Sequence, residues 1–90
     1  MLNKEILLKA INHYGIDNQL FKAIEECSEL IKAICKFKED PNEKHKNDIA
    51  EEMADVEIML DGLRLVFNMD YRIDQNKKFK IERLKERVEK

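Results

Sequence analysis

The chain has no tryptophan, a single proline and only two glycines in 90 residues. So few breakers leave little material for the frequent turns of a strand-rich fold. No apolar run approaches the roughly 18 residues that a membrane span requires, which excludes a transmembrane helix. The N-terminus, "MLNKEILLKAINHYG", is too charged for the apolar region of a signal peptide, so a cytoplasmic location is expected. Charge of one sign is missing too: 17 basic and 19 acidic residues give a net charge of -2. That balance gives no global reason to bind nucleic acid or an anionic membrane, and any basic site must be local. Cysteine is scarce. Cys27 and Cys35 lie eight residues apart in what reads as one helix, about 12 Å along its axis, too far for a mutual disulfide. Both read as reduced thiols of the core.

What is present in quantity is charge, at 40% of residues, with Lys, Glu, Ile and Leu frequent, a composition that favours helices. The fold class expected is all-α, a single domain over residues 1–90. A chain this short buries too small a fraction of its surface to be generously stable alone, and oligomerisation is one usual remedy.

Apolar spacing divides the chain into four helices. Residues 2 to 13 form a short amphipathic helix stopped by Gly15, and Asp17 or Asn18 caps a long second helix to about Phe37. The stretch "KEDPNEKHKN", residues 38 to 47, has no apolar residue and reads as a loop. Asn47 or Asp48 then caps a third helix to about Phe67, "NMDYRID" is a turn, and Asp74 caps a fourth helix to the C-terminus. The apolar stripe of the second helix (Leu20 to Phe37) covers roughly 200° of the helical wheel, where one core would need about 100°. The third helix is broader still, with Ala54, Ile58, Leu65 and Met69 behind its main stripe. A homodimer or homotetramer that completes a helical bundle is therefore expected.

Within the third helix, Glu52 projects from the middle of a stripe made by Ile49, Val56, Leu60, Leu63 and Phe67. Asp55, three residues on and hence a neighbour on the same face, borders that stripe. A buried carboxylate without a partner is costly, and two together call for a metal. The second helix offers a matching set in "IEECSEL": Glu26 and Glu29 three apart, and Glu25 one turn before Glu29. On the wheel these three fall on the polar side, Glu26 nearest the edge of the stripe. Paired across an antiparallel hairpin, Glu26, Glu29, Glu52 and Asp55 would close a box of four carboxylates.

Neither His13 nor His45 is three residues from these acids, which argues against the Glu-x-x-His pairs of di-iron bundles. An all-oxygen donor set suits Mg²⁺, with Mn²⁺ as a substitute. Mg²⁺ usually shares its shell with phosphate, so a phosphoanhydride substrate is expected. On the fourth helix Asn76, Lys80, Arg83 and Arg87 project to one side, and Lys80 and Arg83 are the candidate phosphate-binding cations.

In this pattern the sequence resembles the MazG-like, all-α nucleoside triphosphate pyrophosphohydrolases. Their hallmark, Glu-Glu-x-x-Glu followed after a spacer by Glu-x-x-Asp, reads here as "EECSE" at 25 to 29 and "EMAD" at 52 to 55, with 22 residues between. "YGIDNQLFKAIEECSEL" is similar to the family's first block, "EEMADVEIML" to its second, and "KIERL" at 80 to 84 to its C-terminal Lys-x-x-Arg-Leu. The resemblance implies Mg²⁺-dependent hydrolysis of a (d)NTP between the α and β phosphates, giving the monophosphate and pyrophosphate, in nucleotide-pool house-cleaning. It also implies metal ligation by Glu26, Glu29, Glu52 and Asp55, with Glu25 as a supplementary ligand or the group that orients the attacking water.

Two other classes compete. A non-catalytic oligomeric helical adaptor, or a nucleotide-binding regulatory protein, would need the same broad stripes and charged faces, but it leaves Glu52 unexplained. A nucleic-acid-binding module draws only on the basic fourth helix, without a base-reading arrangement. Tyr14, Phe21 and Tyr71 could stack on a nucleobase, although aromatics at helical spacing usually read as core.

Overall fold

The computed structural model describes residues 3–90. Four helices account for nearly all of them: α1 (Lys4–Tyr14), α2 (Ile16–Glu39), α3 (Glu43–Phe67) and α4 (Asp70–Val88). The all-α reading holds, and no strand occurs among the described residues. No described helix is long and apolar enough to cross a membrane. Leu2, assigned from sequence to the first helix, lies outside the described residues.

α2, α3 and α4 begin earlier than apolar spacing suggests, and each difference has a local cause. Gly15 ends α1 through its N–H to the Ile11 carbonyl at 2.8 Å, and its own carbonyl accepts from Gln19 N at 3.1 Å to open α2. One residue thus does the work expected of Gly15 and Asp17 together. It can because its backbone (φ 85°, ψ 157°) lies in a region essentially reserved for glycine. Asn18, expected as a cap, instead donates its side-chain N–H to the Tyr14 carbonyl at 2.7 Å and braces the joint.

The expected ten-residue loop shrinks to residues 40–42. Asn42 Oδ1 accepts from His45 N at 2.8 Å, the N-cap arrangement that satisfies an orphan donor of the first turn. Asn47 and Asp48 therefore lie inside α3. The segment Glu43 to Asp48 lacks apolar side chains, so periodicity says nothing there, while the cap suffices to start the helix. Asn68, in the left-handed region at φ 51°, closes α3. The turn expected over residues 68–74 then needs only residues 68 and 69. Arg64 reaches across it to Asp70 at 3.0 Å and Asp74 at 3.7 Å, so Asp74 holds the elbow instead of capping α4.

The three-residue connection forces α2 and α3 into an antiparallel hairpin, which forms the main interface of the fold. Ala23 and Ala33 of α2 and Val56 of α3 are buried, and the two alanines let the helices approach. α1 packs on α2 and α3, with Ile6 and Leu7 beside Ala54 and Ile58. The second apolar strip of α3 is thus partly covered, as its breadth required. α4 forms no packing interface comparable to these among the described residues.

Much of the apolar stripe of α2 stays in solvent, with Phe21 71%, Ile24 67% and Ile31 63% exposed. Cys27 and Cys35 are exposed as well, and so are not the core thiols the sequence suggested. The cause is geometric: α3 covers only one side of a stripe that turns through more than half the wheel. Tyr14 and Tyr71, like Phe21, stand on the surface and not in the core. In an antiparallel pair the wheels of α2 and α3 turn in opposite senses. The uncovered row of α2 (Ile24, Ile31) and that of α3 (Met53, Leu60) consequently face the same side of the hairpin. The acidic row faces the other.

Candidate metal centre

Glu26, Glu52 and Asp55 converge across the hairpin. Each offers one carboxylate oxygen, and these oxygens lie within 4.8 Å of one another. Opposite ligands of an octahedral Mg²⁺ stand about 4.2 Å apart, given metal–oxygen distances of about 2.1 Å. The spread therefore closes on one divalent ion with small side-chain adjustments. The donor set is oxygen only, as such a cation prefers.

The structure revises the place of Glu26. The wheel put it on the polar side of α2, but only 9% of it is exposed, and it lies on the inner face that also carries Ala23 and Ala33. Its burial follows from where α3 lies across α2, which the short 40–42 loop decides. Lys22, one turn earlier, holds its ammonium 3.1 Å from Glu26 Oε1 and 3.3 Å from Glu25 Oε1. That cation partly neutralises the cluster, and the two carboxylates in turn hold the Lys22 pKa above its usual value. Sequence reasoning passed over Lys22, although its i,i+4 spacing to Glu26 was the available signal.

Glu52 is half-buried, as the stripe around it implied. Desolvation raises the pKa of its carboxyl above the usual carboxylate range, and the charges of Asp55, Glu26, Glu29 and Glu51 push in the same direction. Repulsion of this kind is what a divalent cation relieves. Glu29 is exposed and lies outside the converging triplet, yet it shares with Glu52 the wall of a cleft of about 130 Å³. The same cleft is lined by Lys32, Ala33, Lys36 and Asp48, none of them named as a site residue from sequence. Glu25 is exposed and likewise outside the triplet, its carboxylate occupied by Lys22.

Lys80 and Arg83 lie on α4, whose residues in this stretch are all exposed. Lys80 borders a groove formed by α4 itself and Met69, and Arg83 stacks its guanidinium 5.7 Å from the centre of the Phe79 ring. Because α4 does not pack along the hairpin, neither cation borders the acidic triplet in the single chain. The chain matches no protein-family model, no curated protein and no solved structure with which it was compared.

Proposed function

We propose that the chain is a Mg²⁺-dependent nucleoside triphosphate pyrophosphohydrolase of the MazG-like kind, cleaving a (d)NTP between its α and β phosphates to the monophosphate and pyrophosphate. The observation that carries the reading is the nine-tenths buried carboxylate of Glu26, drawn to Glu52 and Asp55 within the span of one cation's oxygen ligands. The three acids come from two helices, with Glu26 buried, Glu52 half-buried and Asp55 exposed. Glu26, Glu52 and Asp55 would hold Mg²⁺, with Glu29 closing the fourth side. Held there, Mg²⁺ would supply charge neutralisation for phosphate oxygens and polarisation of a water, the two needs of phosphoanhydride hydrolysis. Glu25, once released from Lys22, is in sequence position to orient that water, and the residues themselves supply alignment and no covalent step.

The uncovered apolar side of the hairpin supports assembly into a homodimer or homotetramer, since Ile24, Ile31 and Leu60 face away from the acids and leave the centre accessible. In such an assembly Lys80 and Arg83 of α4 would come to the phosphates through closure on the hairpin or from a second copy. A cytoplasmic role in nucleotide-pool house-cleaning fits this reading. The test is a panel of canonical and modified (d)NTPs with Mg²⁺, products resolved by chromatography. Pyrophosphate and a monophosphate are expected. Orthophosphate as first product, or no turnover of any member, would overturn the proposal.

A further inference from the structure

A triphosphate brings more negative charge than one divalent ion cancels, so protein cations must meet the end of the phosphate chain. The sequence pointed to α4 for these, but α4 packs away from the hairpin. The cations that do border the acids belong to α2. The cleft beside Glu52 is lined from α2 by Glu29, Lys32, the small buried Ala33 and Lys36, and from α3 by Asp48 and Glu52. Its volume of about 130 Å³ leaves room for a phosphate group beside the lysines.

We infer that Lys32 and Lys36 bind the terminal phosphates of the substrate and then the pyrophosphate product, so that the phosphate chain runs along α2 from the metal-holding acids toward its C-terminus. This rests on the function proposed above. Three features support it. Lys32 and Lys36 stand about 4.5 and 10.5 Å beyond Glu29 along the helix axis, on successive turns, which brackets a chain of phosphates leading away from the metal. Among the described residues neither lysine has a carboxylate within 4.0 Å, whereas Lys22, on the opposite flank of Glu26, is already engaged by two. Finally, Asp48, the acid nearest that end of the cleft in sequence, is paired with Lys44 at 3.3 Å and so competes less for them.

The test is the double variant Lys32→Gln/Lys36→Gln, compared with wild type and with Lys38→Gln, an exposed lysine outside the cleft. KM for the triphosphate and the Kd of pyrophosphate, by calorimetry with Mg²⁺ present, should each rise by about tenfold or more, the loss expected for two charge-assisted contacts. The stabilisation of the fold by Mg²⁺ should persist, and Lys32→Arg/Lys36→Arg should restore most of the binding. An active wild type whose double variant keeps both constants would overturn this inference and leave the proposed function standing. A wild type that neither turns over triphosphates nor binds pyrophosphate would remove both.

Discussion

Glu52 is the residue whose behaviour separates a metal centre from a decorated surface. Its folded-state pKa lies above the unfolded value, so the metal-free fold holds that proton more tightly than the unfolded chain does. Below the unfolded value the proton is bound in both states and Glu52 costs nothing. As pH rises through the raised folded value the fold loses stability, and the loss is complete once pH stands above that value. Glu52→Gln should therefore raise the metal-free melting temperature at pH 7 by a few degrees and leave it nearly unchanged near pH 4. Thermal unfolding at the two pH values, in EDTA, checks this. Millimolar Mg²⁺ should raise the melting temperature of the wild type, and the same substitution should abolish that rise and cost at least about 100-fold in kcat/KM. Lys22 makes the converse case. It occupies the Glu26 carboxylate in the position a cation would share, so Lys22→Met should tighten Mg²⁺ binding several-fold while lowering the stability of the metal-free protein, both measurable by titration in a calorimeter.

At the scale of the element, the joints set the geometry that brings the acids together. Gly15 carries a backbone conformation that costs an L-residue about 1–3 kcal/mol, so Gly15→Ala should lower the melting temperature by roughly 4–8 °C for each kcal/mol lost. Asn42→Ala removes the cap of α3 and should cost about 1 kcal/mol by urea unfolding. These joints also show how much was legible in the sequence. Glu52 and Asp55 could be placed because the apolar stripe around them is continuous on a single helix. Glu26 could be named beside them, but its burial could not be read, because that depends on the crossing of two helices, which a three-residue loop fixes and periodicity does not record. The start of α3 was hidden for a related reason: Glu43 to Asp48 carries no apolar side chain, and a single Asn42 hydrogen bond decides the matter. The all-α class and the four helices were readable throughout. The detachment of α4 was not, since its spacing of Ile73, Leu84 and Val88 is that of a helix with a core to face.

The whole molecule has a thin core. Ala23, Ala33 and Val56 are its buried apolar side chains, and no large side chain is fully buried among the described residues. Such a chain is marginal alone, and its stability should depend on its own concentration. Light scattering should give a mass that is a multiple of 10.7 kDa, and Ile24→Asp/Ile31→Asp on the uncovered face should reduce it to that of one chain. On the proposed function the two sides of the hairpin would divide the labour, apolar rows for assembly and acidic rows for the cation. The most direct measurement of that division is anomalous diffraction from crystals grown with Mn²⁺. A single strong peak at coordination distance from Glu26, Glu52 and Asp55 is the predicted result. Ordered side chains at these positions with no peak between them, and residue 52 turned to solvent, would contradict it.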